Sequence, residues 1–198
     1  SITNKTQVIF LRVCAHKRLA VQPPACYNDK DVKKCLKQRM ESAMKTLILY
    51  ATKHGATRKI AKLIAQEIPD SVVKDVEESD PHLPSYDCVI LGSSLMAGQI
   101  RKPLKNYIAK HQSELLTKKL GLFLSGLAEE EEEKYFNHNF PPEILQAAAT
   151  KHILGGIYDP QQCNALEKVV MRIVTKSNSY ISTVKSDKIA AFVHELNQ

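Results

Sequence analysis

Tryptophan is missing from the 198 residues, and nowhere do 18 or so apolar residues run together. The second absence argues against a helix long enough to cross a bilayer. Cysteine is present five times, an odd number, and Cys14, Cys26 and Cys35 stand twelve and nine residues apart. That spacing fits neither a zinc site nor a disulfide framework, so free thiols in a reducing cytoplasm are expected. Nothing near Cys163 predicts a lowered thiol pKa. His138, His152 and His194 are scattered without ligand spacing, and no Ser-His-Asp or Cys-His set assembles. Neither a catalytic side chain nor a metal is therefore expected. No internal repeat occurs, and Glu129–Glu133 is the sole low-complexity tract, read as the solvated start of a helix whose dipole suits carboxylates.

A formal charge of +7 would ordinarily point to an acidic partner such as nucleic acid. Its location argues otherwise. Residues 1–43 carry nine Lys/Arg against three Asp/Glu, whereas residues 44–198 carry nineteen against eighteen. No nucleic-acid partner is expected for the main body. The first 43 residues contain a proline pair and dense charge in "QPPACYNDKDVKKCLKQ", with no sustained period beyond a short helical pattern at Asp31–Met40. Arg12 interrupts "VIFLRVCA", and no small-residue cleavage pattern follows, which argues against a signal peptide. Residues 1–43 are expected to be a basic extension, poorly ordered or not native to the domain, and the compact domain to occupy 44–198.

From Met44 onward strand and helix patterns alternate. "TLILYA" (Thr46–Ala51) is a short apolar run of the type buried on both faces. Arg58–Ile68 places Ile60, Ala61, Ile64, Ala65 and Ile68 at helical spacing. "SVVKDV" (Ser71–Val76), "DCVILGSS" (Asp87–Ser94), "LGLFLSG" (Leu120–Gly126) and "HILGGI" (His152–Ile157) read as further strands. Lys102–Leu116 and Pro142–Thr150 read as helices, and two helical patterns, Asn164–Lys176 and Ser186–Asn197, close the chain. Five strands alternating with helices, without tandem hairpins, imply an α/β fold with a parallel sheet covered on both faces.

Ligands of such sheets bind beyond the carboxyl ends of the strands. The loops there share a bias toward small and hydroxyl-bearing residues: Thr52-Lys53-His54-Gly55-Ala56-Thr57, Ser93-Ser94-Leu95-Met96-Ala97-Gly98, and Ser125-Gly126-Leu127-Ala128. The first opens directly into a helix, whose N-terminal N–H groups favour an anion. Thr52 and Thr57 add hydroxyls, and Gly55 permits positive φ. It is neither a Walker A loop nor GxGxxG, and Asp75 and Glu77 are weakly placed for a ribose diol, so a monophosphate fits better than a dinucleotide. The plainer alternative is that Thr57 caps a helix and Gly55 relieves a turn.

"LILYATKHGATRKIA" resembles the flavodoxin phosphate signature, T-x-x-G-x-T between the first strand and first helix. More narrowly, "MKTLILYATKHGATRKIA", "YDCVILGSSLMAGQIRKPLKNYIAKH" and "ILGGIYDP" resemble the flavodoxin-like, menaquinone-dependent protoporphyrinogen oxidases of heme biosynthesis. The resemblance implies a doubly wound five-stranded sheet in the order 2-1-3-4-5 and one FMN. It implies that Thr52, Lys53, His54, Gly55, Ala56 and Thr57 wrap the phosphate. Ser93, Ser94, Leu95, Met96, Ala97 and Gly98 would line one side of the isoalloxazine, and Ser125, Gly126, Leu127 and Ala128 the other. Flavodoxins usually stack an aromatic on the flavin; here neither ring-lining loop has one, which leaves that place to Met96 or Leu95, with Ile100 near.

Asn164–Lys176 falls where the oxidases carry an extra helical insert. Leu166, Val169, Val170, Ile173 and Val174 form an apolar face with Met171 adjoining, beside Lys168, Arg172 and Lys176. A packed helix with snorkelling cations is expected. The sharper reading is a docking surface for a quinone, a porphyrin or an anionic lipid head group, with peripheral contact at the inner face of a membrane. The expectation is an FMN-dependent oxidoreductase passing electrons from a reduced substrate, such as a porphyrinogen, to a quinone or other acceptor. An electron carrier serving protein partners and a flavin-free interaction module are the alternatives.

Overall fold

A computed structural model describes residues 44–127, 131–165, 168–169, 172–173 and 179–198. The expectations for residues 1–43, and those for Ala128, Leu166, Val170, Met171, Val174 and Lys176, lie outside the described residues.

Five strands form one parallel sheet: β1 (Thr46–Ala51), β2 (Ser71–Asp75), β3 (Cys88–Ser94), β4 (Lys119–Ser125) and β5 (Ala148–Ile153), ordered β2-β1-β3-β4-β5. The apolar run of β1 is buried throughout because it lies inside the sheet with side-chain layers on both faces. Its residues divide by parity. Leu47, Leu49 and Ala51 join Val89, Leu91, Leu122 and Leu124 on one face; Ile48 and Tyr50 join Ile90 and Phe123 on the other.

The second of these faces is covered by α1 (Ala56–Glu67), through Ile60, Ala61 and Ile64, and by α5 (Ser186–Leu196), through Ile189, Phe192 and Leu196. The first is covered by α2 (Lys102–Leu115), α3 (Glu132–Asn139) and α4 (Pro142–Ala147). α1, α2 and α5 each bury a stripe at 3.6-residue spacing, and each fully buried Ile or Leu contributes about 1.5–3 kcal/mol. Gly92 on β3 has a packing reason: a methyl group there would overlap the Phe123 ring on β4, with which it is in register.

The last strand departs from expectation. Pro142–Thr150 reads as a helix from sequence, yet the helix ends at Ala147 and β5 begins at Ala148. Alanines favour a helix weakly, and pairing with β4 overrides them, with Ala149 inserted as an irregularity between Leu120 and Gly121. The apolar "HILGGI" is not one strand. Gly155 sits at φ 87°, which ends the ladder, and Ile157–Tyr158 forms β6, paired antiparallel with β7 (Ile181–Ser182).

His152 also gains a role that its sequence neighbours do not suggest. One ring nitrogen faces Glu132 of α3 at 3.0 Å and the other Glu195 of α5 at 2.8 Å, so the edge strand is tied to both helical layers.

Candidate functional site

Beyond the carboxyl ends of β1, β3 and β4, the three hydroxyl-rich loops meet at one sheet edge. Ala51 and Ser93 are register partners, as are Ser94 and Ser125. The Leu95 N–H donates to the Ser125 carbonyl at 2.9 Å, which joins the second loop to the third.

In the first loop the Gly55 N–H donates to Thr52 Oγ1 at 3.1 Å, and Gly55 turns the chain at φ 79° before Lys59 N–H closes the first turn of α1 on its carbonyl. Gly55 is required by that φ and not by crowding, since a Cβ placed there would meet nothing within 4 Å. The N-terminus of α1 has no side-chain cap and no acidic residue in its first turn. Thr57 is therefore not the helix cap that the plainer reading allowed. It is the second residue of α1 and lies fully buried, and its hydroxyl has no hydrogen-bond partner among the described residues.

A buried hydroxyl without a partner is costly, and here it sits beside uncapped helix N–H groups and open space over Gly55. The arrangement suits an oxyanion. Arg58, the nearest guanidinium in sequence, is turned away: its Nε donates to the Tyr50 hydroxyl at 2.7 Å and its head lies 3.6 Å from Asp75. Burial raises the Tyr50 phenol above its usual range, against the lowering effect of the Arg58 bond. Asp75 also accepts the Glu77 N–H at 3.1 Å, so it is committed to the exit of β2 rather than to a ribose.

The second loop is a tight reverse turn. Met96 and Gln99 exchange backbone bonds of 2.9 and 3.0 Å, and the two central residues, Ala97 at φ 48° and Gly98 at φ 75°, have the positive φ pair of a type I′ turn. An alanine held there stores backbone strain that its surroundings must offset. Ser93 Oγ accepts the Arg101 N–H at 2.9 Å and donates to the Ser94 carbonyl, while Ser94 Oγ is buried without a partner among the described residues. Of the two side chains expected over a flavin ring, Leu95 folds inward against Gly126, and Met96 stands 40% exposed. In the third loop Gly126 N–H donates to the Gly155 carbonyl at 3.1 Å, and Gly156 packs on Gly126 closely enough that a Cβ would not fit easily. Ala128 lies outside the described residues.

Thus Thr52–Thr57, Ser93–Gly98 and Ser125–Leu127 come together, and sequence reasoning missed what holds them. Arg101 places its head 3.6 Å from Glu77, at the exit of β2. Gly155 and Gly156 let the segment after β5 approach the third loop, whereas a Gly-Gly pair within the apolar "HILGGI" reads from sequence as strand interior. Asn139, at the end of α3, bonds into the second loop. An asparagine before "FPP" reads as a helix terminus, so local sequence conceals that contact.

The segment Asn164–Lys176, expected to pack as a helix, does not bury its described apolar residues. Val169 is 57% and Ile173 74% exposed, beside exposed Lys168 and Arg172. Among the described residues no group of three or more His, Cys, Asp or Glu could hold a metal ion, and no helix is long and apolar enough to cross a membrane.

A family model described as a flavodoxin domain matches residues 47–184. Protoporphyrinogen IX dehydrogenase [quinone] of Escherichia coli strain K12 is 27% identical over 125 residues, covering 61% of this chain and 66% of that protein. The protein of the same name from Leishmania major is 34% identical over 77 residues, 36% of this chain and 33% of its own length. The oxidised flavodoxin 1 of Bacillus cereus aligns structurally over 77% of this chain and 97% of its own, at 17% identity and a TM-score of 0.47.

Proposed function

The chain belongs to the flavodoxin domain family, and from that premise we propose that residues 44–198 hold one FMN non-covalently and act as an FMN-dependent oxidoreductase. The observation that carries this reading is the buried Thr57 hydroxyl, without a hydrogen-bond partner among the described residues, beside the uncapped N-terminus of α1 and the open space over Gly55. In this reading Thr52, Lys53, His54, Gly55, Ala56 and Thr57 take the phosphate. A phosphate carries the acceptors that the Thr57 hydroxyl and the first-turn N–H groups lack, and the helix dipole favours its charge. Ser93–Gly98 would line one side of the flavin ring, with Met96 as its exposed cover, and Ser125, Gly126, Leu127 and Ala128 the other. Bound FMN would supply the redox chemistry. The chain's own part is to bind, orient and set the polarity around the ring, and no side chain need attack the substrate. Removal of residues 1–43 is expected to leave FMN uptake unchanged.

We further propose that electrons enter from a reduced substrate, with a porphyrinogen as the favoured class, and leave to a quinone. The E. coli and Leishmania relatives carry that activity in their names. Val169 and Ile173, exposed beside Lys168 and Arg172, favour this reading over a simple carrier. A carrier has no need of an apolar, cationic surface, whereas an amphipathic ring, a quinone or an anionic lipid head group fits one. The test is flavin extraction, reloading with FMN, anaerobic reduction, and reoxidation by a quinone. Fast quinone reoxidation is the expected result, and reoxidation only by a protein partner would move the assignment to a carrier. Flotation of FMN-loaded protein with anionic vesicles tests the surface separately, and absence of binding rejects the membrane contact.

A further inference from the structure

Asn139 is the last residue of α3, and its side chain is almost fully buried. Its Oδ1 accepts the Ile100 N–H at 2.9 Å. Its Nδ2 donates to the Gly98 carbonyl at 2.8 Å and to the Tyr135 carbonyl at 2.8 Å. Both amide protons and one carbonyl lone pair are thus used. The orientation follows from the partners: exchanging O and N would set an amine against an N–H and an oxygen against two carbonyls.

The three bonds divide by purpose. The bond to Tyr135, four residues back, anchors the side chain to its own helix. The other two straddle Gln99 and grip the loop after β3 at Gly98 and Ile100. That loop contains the strained Ala97-Gly98 turn, which will relax unless something over-determines it. A second grip exists on the outside, where Lys105 Nζ donates to Gln99 Oε1 at 2.6 Å and Gln99 meets His138. Those groups are exposed and water competes for them, whereas the Asn139 bonds are shielded. Tyr135 adds contact, since its ring lies 3.4 Å from where a Cβ of Gly98 would be.

We infer that Asn139 is a positioning residue of the flavin site: it fixes the peptide groups of residues 96–100 against the ring and so sets flavin affinity and potential without touching the flavin. This rests on the reading of Ser93–Gly98 as ring-lining. A loop held in one geometry presents the same dipoles to oxidised and reduced flavin, and a released loop adapts to each, so the potential must respond.

The test uses the full chain, loaded with FMN, as Asn139→Ala, Asn139→Asp and Ile144→Ala. Ile144 is buried in α4 on the same face and makes none of these bonds. Asn139→Ala strands the Ile100 N–H and Gly98 carbonyl and is expected to raise the FMN Kd at least tenfold and shift the midpoint potential. Asn139→Asp keeps an acceptor for Ile100 but faces two carbonyls with a carboxylate, and is expected to show the same changes. Ile144→Ala is expected to lower Tm while leaving Kd within twofold and the potential unmoved. Unchanged Kd and potential in both Asn139 variants, or equal changes in Ile144→Ala, would overturn the inference. Hydrogen exchange on the unaltered chain covers the case where variants do not fold: the Ile100 amide must be protected, and exchange at the rate of an exposed amide rejects the clamp. Failure of the unaltered chain to take up FMN would overturn the proposed function itself and this inference with it. Uptake with indifferent variants overturns this inference alone.

Discussion

Replacing Thr57 by valine should change the empty and the loaded protein in opposite directions. The two side chains have nearly the same shape, so the buried volume is kept while a hydroxyl becomes a methyl. That hydroxyl is fully buried and has no hydrogen-bond partner among the described residues. Leaving a polar group so costs about 1–3 kcal/mol, and the substitution removes that cost. A gain of about 1 kcal/mol is expected, or a rise in Tm of roughly 2–4 °C for a domain of this size. With FMN the sign reverses. A hydrogen bond to a charged phosphate contributes about 1.5–3 kcal/mol, and its loss weakens binding by roughly 10- to 150-fold.

Thermal melting of apoprotein and titration by quenching of flavin fluorescence read the two effects separately. Thr52→Val is the internal contrast, because Thr52 Oγ1 accepts the Gly55 N–H. Its loss should destabilise the apoprotein by about 1 kcal/mol. If Thr57→Val lowers apoprotein stability and leaves FMN affinity unchanged, the hydroxyl has a partner within the protein and the loop is only a turn.

Gly92→Ala drives a methyl into the Phe123 ring and should cost about 1–3 kcal/mol by chemical denaturation, with Phe123→Leu recovering part of the loss. Glu195 is held below the usual carboxylate range by the Thr150 hydroxyl and by His152. A depressed carboxylate stabilises the fold above its unfolded pKa of about 4.3 and loses that contribution as pH falls through the lower folded value, so Glu195→Gln should flatten the acid limb in urea melts from pH 6 to pH 3. Burial pushes Tyr107 up to about 12, with nearby Asp80 adding to the shift. Its contribution is complete below an unfolded pKa of about 10 and is lost as pH rises toward the folded value, so Tyr107→Phe should remove one late-titrating phenol at 295 nm and hold stability better at high pH.

Much of this protein was legible locally. β1 matches its expected bounds, and the apolar stripes of α1 and α2 face the core as their spacing requires. The three turns were legible for the same reason: small and hydroxyl residues directly after an apolar strand are a statement about a few consecutive φ angles, and Gly55 and Gly98 both have the positive φ such turns use. The rest depended on partners distant in the chain. β5 could be placed only by its ladder to β4, since its alanines favour no strand. Whether Leu95 or Met96 faces outward was decided by Gly126, thirty-odd positions along the chain, a distance no turn rule spans.

The same holds for the groups that bind the site together. His152 meets carboxylates 20 and 43 residues away, and Asn139 grips backbone 39 and 41 residues before it. The sequence by itself determined most of the strands and helices and where the glycine- and hydroxyl-rich turns fall, because burial period and turn chemistry act over a few residues. Only the tertiary structure decided which polar groups end buried without a partner, because that is a property of everything packed around them.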